Sequence, residues 1–370
     1  MPMKRITSLL LVLAMLASPA LSARAAEGGY PDAQSHYAAQ AITAWSGHGV
    51  LTGYTDGTFR PDGTITRGEL AAVLVRVMGY QDPAANTFSD LGEGRWDTGY
   101  LLRLAAQGVL RGDGNGRMNP QATLTRQEAY TVLARVLDLP ERDAPAGFVD
   151  DADIAPWASG YVSALRQAGY IQGGQGGYIH PCGPITRAEV VTILDRMAPG
   201  FVHTDGTYSQ DCPGNLFVNA QQVTLKDMRV AGDLIVTDGV GNGEVSLDHV
   251  TVAGRIVLRG CGANSFHILP GCQVGDVIIT KTTQGMLRLV NRSGVTIPMI
   301  YIEDGKTGVT LDGDALGSVV VNCDTQVILK SKSVQTVSIL AGARVTVEQG
   351  ATVAAVEVGQ TAQNASLTIR

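Results

Sequence analysis

The reading of this chain turns on a pentapeptide written three times: Ile65-Thr66-Arg67-Gly68-Glu69, Leu124-Thr125-Arg126-Gln127-Glu128 and Ile185-Thr186-Arg187-Ala188-Glu189. Thr-x-x-Glu is the spacing of a capping box. The hydroxyl takes an orphan amide at a helix start, and the carboxylate reaches back to the cap. Behind the first copy Leu70, Val73, Leu74 and Val77 continue as an apolar stripe of helical period.

Working outward, the copies stay in register at offsets of 59 and then 61 residues. Tyr37, Trp96 and Trp157 align, as do Ile42, Leu101 and Val162, and the glycines Gly49, Gly108 and Gly169. Gly53, Gly112 and Gly173 follow, then Pro61, Pro120 and Pro181. Each unit opens on aromatic-x-Asp: Tyr30-Pro31-Asp32, Phe88-Ser89-Asp90 and Phe148-Val149-Asp150. Ala38, Ala41, Ile42 and Trp45 form a first apolar stripe, which Gly49 ends by admitting a left-handed conformation. A Gly-rich turn and Pro61 hold the chain out of helix until the capping box. Each unit is expected to be helix, loop, helix.

Capping accounts for the Thr and the Glu but not for the Arg between them. A cation in the first helical turn faces the positive end of the macrodipole, at a cost of a few tenths of a kcal/mol. Arg67, Arg126 and Arg187 repeat that cost three times. Two explanations stand: a local Asp partner, such as that of aromatic-x-Asp, or a ligand carboxylate held where helix N-terminus and guanidinium converge.

Aromatic-x-Asp, a Trp, G-V-L-x-G, D-G-x-F-x-P and I-T-R-x-E in tandem resemble the S-layer homology domain. The resemblance covers about residues 28–200. It implies a pseudo-threefold, all-α spindle that binds a secondary cell-wall polysaccharide non-covalently, typically one bearing ketal-linked pyruvate. It places Arg67, Arg126 and Arg187 on the carboxylate and Trp96 and Trp157, with Tyr37, against sugar faces. Asp32, Asp90 and Asp150 would hold sugar hydroxyls or orient the Arg. For the Trp residues core packing is the competing reading. Unit 1 departs from the pattern with His36-Tyr37 in place of His-Trp, and unit 3 with Gln175-Gly176-Gly177-Tyr178-Ile179 in place of D-G-x-F.

After Pro199 the period changes from 3.6 to 2, in short Val/Ile runs such as Asp233-Leu-Ile-Val236 and Arg255-Ile-Val-Leu258. An offset of 22 superimposes Val230-Ala231-Gly232 on Val252-Ala253-Gly254, Leu225 on Leu247 and Leu269, and Ile235 on Val257 and Ile279. Leu289 and Leu311 keep 22, and Leu329 and Val347 follow at 18. This predicts an all-β parallel β-solenoid, with a β-sandwich as the alternative. Glycan-active chemistry on such a face would need carboxylates stacked on adjacent coils. The same register instead aligns Asp233 with Arg255 and Val277. Asp304, Asp312 and Asp314 could lie close together around a calcium ion, though solvated turn positions explain them as well. His203, His249 and His267 have no Ser or Cys partner in the pattern, so catalytic, metal and cofactor assignments are all none.

Residues 1–26 have a basic start (Lys4, Arg5), an apolar run from Leu9 to Ala17 and the small-x-small site Ala23-Arg24-Ala25. That layout is a secretory signal peptide, far shorter than the ~20 residues that span a bilayer. The net charge of −6 becomes −9 without Lys4, Arg5 and Arg24, which argues against nucleic-acid binding. Five Cys in an exported chain leave at least one unpaired or paired between chains, with Cys261–Cys272 and Cys182–Cys212 as candidate bridges.

The expected division is a signal peptide (1–26), repeats at 27–84, 85–144 and 145–200, and a solenoid at 201–370. The expected function is a non-enzymatic cell-surface protein anchored to a wall polysaccharide, its solenoid a spacer, surface-layer or binding module. A wall-anchored lyase- or hydrolase-like enzyme is the alternative, and a protein-binding scaffold a third reading.

Overall fold

The computed structural model describes residues 29–370 apart from Asn264 and Lys306, so the expected signal peptide lies outside the described residues. Six α-helices come first: α1 (Ala39–Gly47), α2 (Arg67–Met78), α3 (Thr98–Ala106), α4 (Arg126–Val136), α5 (Pro156–Gln167) and α6 (Arg187–Met197). The even-numbered helices are N-capped by Thr66, Thr125 and Thr186, and both halves of the capping box form in all three. Ile42 and Trp45 are buried on α1, which ends just before Gly49 at φ 72°.

The three units close on one another through their backbones. Ile65 N–H donates to Ile185 O, Ile185 N–H to Leu124 O, and Leu124 N–H to Ile65 O, a ring of bonds at 3.0–3.2 Å. The next amides are also satisfied across units. Arg67 and Gly68 donate to Ala122 O and Pro120 O, Arg126 and Gln127 to Gly183 O and Pro181 O, and Arg187 and Ala188 to Gly63 O and Pro61 O. Helix N-terminal amides that would otherwise be orphans therefore hold the pseudo-trimer together.

From Gly200 onward the chain winds into a parallel β-solenoid with two nine-stranded sheets. One runs from Gly200–Val202 to Val353–Val358, the other from Gly206–Tyr208 to Ser366–Ile369. Each coil stacks apolar side chains on those of the next, as in Val223, Val245 and Phe266 or Leu289, Leu311 and Leu329. These residues are fully or almost fully buried. Parallel pairing throughout excludes the β-sandwich.

The 22-residue register holds for the coil pairing Val223 with Val245 and Ile235 with Val257, then slips. Leu247 pairs with Ile268 rather than Leu269, and Val257 with Ile278 rather than Ile279. The next coil makes up the difference, since Phe266 pairs with Leu289. Arg255 is consequently level with Asp276, not Val277. The reason is that turns, unlike strands, tolerate insertions and deletions, whereas a one-residue slip inside a strand would turn its apolar set outward.

Neither candidate disulfide forms, and all five thiols are free. The sulfurs face local backbone instead: Cys272 Sγ lies against Leu247 O, Cys212 Sγ against Gly214 and Asn215 carbonyls, and Cys182 Sγ against Asp153 O. The acidic trio does not converge either. Asp312 pairs with Arg288, and Asp314 with Lys332 at 2.9 Å.

Candidate functional site: grooves between the repeats

The three Asp of aromatic-x-Asp share one structural task. Asp32 accepts the amides of Phe59 and Arg60, Asp90 those of Met118 and Asn119, and Asp150 those of Ile179 and His180, at 2.7–3.0 Å. Arg60, Asn119 and His180 all have φ between 50° and 56°, a left-handed state that costs a residue bearing Cβ. Each carboxylate thus stabilises the strained residue just before Pro61, Pro120 or Pro181. Burial opposes the charge on Asp90 and Asp150, but the amide bonds overcome it and hold both below the ordinary carboxylate value.

The three Arg do not share a task. Arg67 donates from Nε to Met118 O and from Nη2 to Arg111 O, both at 2.7 Å. Arg187 donates to the equivalent carbonyls of unit 1, Phe59 O at 2.9 Å and Thr52 O at 3.0 Å, and lies 3.6 Å from Glu69. It is 7% exposed and stacks over the rings of Tyr54 and Phe59. These two guanidinium groups join one unit to the turn of the next. Arg126 makes no such carbonyl clamp among the described bonds. Its Nε and Nη2 both donate to one oxygen of Glu189, at 3.1 and 2.6 Å.

The aromatic column is on the surface. Tyr37, Trp96 and Trp157 are 70%, 57% and 52% exposed, which rules out a core-packing role for their rings. Trp96 and Arg187 line a common cleft of about 760 Å³ together with Tyr54, Glu69, Tyr100 and Gln121, so all three units supply a wall. Within it Tyr54 donates to Glu69 at 2.8 Å, and burial together with that bond raises the phenol above its ordinary value.

A second cleft of about 660 Å³ contains Arg126, Glu189, His180, Tyr178 and the Gly173–Gly176 turn. Tyr37 stands within electrostatic reach of Arg126 and Glu189. Trp157 is exposed at the start of α5, immediately after Pro156. The structure therefore places Trp96 and Arg187 on one cleft and commits the three Asp to backbone amides. Tyr54, Tyr100 and Gln121 escaped the sequence reading because they lie outside the strongest repeat columns. Glu69 was visible only as a cap.

The S-layer homology domain family matches residues 29–71, 87–129 and 147–191. A cellulosome-anchoring protein of Acetivibrio thermocellus is 30% identical over 154 residues, 40% of this chain and 34% of that protein. The S-layer protein sap of Bacillus anthracis is 32% identical over 133 residues, 36% of this chain and 16% of its own length. Exoglucanase XynX of Acetivibrio thermocellus is 28% identical over 171 residues, 45% and 16% respectively, a match to its S-layer homology segment. The chain thus spans between 16% and 34% of the length of these relatives. Among the described residues no helix is long and apolar enough to cross a membrane. The N-terminal half of this chain is a tandem of three S-layer homology domains, and the protein is a cell-surface protein associated with the cell wall.

Proposed function

We propose that the helical half holds the protein to the wall by binding a secondary cell-wall polysaccharide bearing carboxylate, such as ketal-linked pyruvate. The observation that carries this reading is the cleft shared by Trp96 and Arg187, where an exposed indole faces a mixed polar wall built by three units. An aromatic face suits the C–H surface of a pyranose, and Tyr, Glu and Gln groups beside it suit sugar hydroxyls. In the second cleft Arg126, whose guanidinium is held by a side chain rather than by backbone, is the carboxylate contact.

The solenoid is a non-enzymatic spacer in this reading. Several of its acids are engaged one coil away, in Asp233–Arg255, Arg288–Asp312, Asp314–Lys332 and Glu348–Arg370. Such pairs form rungs along a rod, and none of these paired carboxylates is free for glycoside chemistry.

Sedimentation of the full chain with purified walls tests the anchor. Binding is expected to walls that retain the secondary polysaccharide, and to fall sharply after its extraction or after chemical removal of pyruvate. Equal sedimentation with extracted walls would overturn the reading.

A further inference from the structure

The solenoid does not trail from the helical half on a tether. Only Ala198 and Pro199 separate α6 from the first strand. Along that first sheet the outward residues Phe217 and Ile235 are buried in the same apolar core as the helices.

What the solenoid meets is a set of helix C-terminal ends, where carbonyls lack intrahelical donors and the dipole is negative. Asn219 Nδ2 donates to Arg76 O in the last turn of α2 at 3.0 Å, and Asn215 Nδ2 to Met197 O at the end of α6 at 2.9 Å. Asn215 Nδ2 also donates to the Tyr170 hydroxyl, beyond α5. The C-cap Gly79 has φ 68° and abuts Gly239 of the solenoid so closely that a Cβ on Gly79 would lie 2.2 Å from the Gly239 Cα.

At the centre is Arg259, 6% exposed, on the solenoid side. Its Nε donates to Asp238 at 2.8 Å, its Nη1 to Asp138 just beyond α4 at 2.8 Å, and its Nη2 to Gln107 capping α3 at 3.1 Å. The guanidinium also stands over the Tyr80 ring. Asp238 is fully buried, so this cation neutralises an acid that has no access to water. A gap of only about 30 Å³ remains beside the cluster.

We infer that the helical half and the first coils of the solenoid form one rigid, cooperatively folding body, pinned by Arg259. This goes beyond wall anchoring. It fixes the solenoid's direction relative to Arg67, Arg126 and Arg187, which stand at the opposite, N-terminal ends of α2, α4 and α6. The 27–200 and 201–370 division then describes secondary-structure type and not folding units.

The test is urea unfolding of the full chain with two regional probes. All three Trp lie in the helical half, with only Trp45 also touching a solenoid ring, Phe201 of the first strand, so indole fluorescence reports chiefly on that half, while hydrogen exchange of peptides spanning 216–281 reports on the first coils. Coincident midpoints are expected in the unmodified chain, and separate midpoints in Arg259→Met, the helical half melting first. If Arg259→Met does not fold, Asn219→Ala removes only the Arg76 carbonyl cap and a Thr237 contact, and a smaller separation is expected. Separate midpoints in the unmodified chain would overturn the single body. Midpoints that shift together in both variants would overturn the pinning role.

Discussion

Arg187 and Arg126 occupy the same column of the repeat, yet one is fastened to the backbone of the neighbouring unit and the other to a side chain. The cause is in the turns they meet. Unit 1 presents Phe59 O and Thr52 O to Arg187, and unit 2 presents Met118 O and Arg111 O to Arg67. The corresponding turn of unit 3 is Gly173-Gly174-Gln175-Gly176-Gly177, with Gly176 and Gly177 at positive φ, and Arg126 meets Glu189 instead. The helix-dipole cost that singled out all three Arg is therefore offset in two different ways. A repeated motif residue can clamp backbone carbonyls in two copies and pair with a carboxylate side chain in the third.

The comparison breaks most readily on stability. Arg187→Gln removes a buried charge and leaves Phe59 O and Thr52 O without their donor. A loss of about 3 kcal/mol is expected, on the scale of two charge-assisted hydrogen bonds partly compensated by the new amide. Urea unfolding followed by Trp fluorescence measures it. A loss below ~1 kcal/mol, the range of exposed pairs, would show that the carbonyl clamp is not a joint.

Asp150 comes next. Asp150→Ala releases two amides and the left-handed His180, with an expected cost of about 2 kcal/mol, comparable to losing a strong cap. The same bonds set a pH dependence. The folded-state pKa values of Asp90 and Asp150 are depressed, so the native state releases these protons more readily than the unfolded chain. Their contribution is fully present above the unfolded value of about 4 and is lost as pH falls through the folded values. Unfolding midpoints measured from pH 6 downward should fall below about pH 4, less steeply in Asp150→Ala. An equal slope in both proteins would remove Asp150 from the account.

Much of this was legible in the sequence where local chemistry is self-contained. Thr66-x-x-Glu69 announces a helix start because both bonds close within four residues, and three copies in register announce three units. The solenoid was legible because Leu289, Leu311 and Leu329 must face inward together. The role of Asp150 was not, because its partners are 29 and 30 residues away and are backbone amides, which have no letter in the sequence. The register slip at Ile268 escaped for a related reason, since the residue is gained or lost in a turn. Arg259 gave no signal, because its partners Gln107 and Asp138 lie 152 and 121 residues upstream.

The smallest effect on folding belongs to Arg126, and that is what makes it informative. Its ion pair with Glu189 is partly exposed, so Arg126→Gln should cost no more than about 1 kcal/mol of stability. Glu189 keeps its capping bonds to Thr186 in the variant, so α6 retains its start. If the guanidinium also holds a ligand carboxylate, the folded variant should lose roughly 1.5–3 kcal/mol of binding, about one to two decades in affinity. Arg126→Lys should recover little, because a point charge does not reproduce the planar fork that matches a carboxylate. Titration of the full chain with purified wall polysaccharide, before and after pyruvate removal, separates the two contributions: the difference between Arg126→Gln and the unmodified chain should vanish on the depyruvylated glycan. Arg187→Gln should instead show a deficit on both glycans that tracks its unfolded fraction. A folded Arg126→Gln that binds native glycan with undiminished affinity would make Arg126 a joint like the other two, with Glu189 serving in place of the carbonyls.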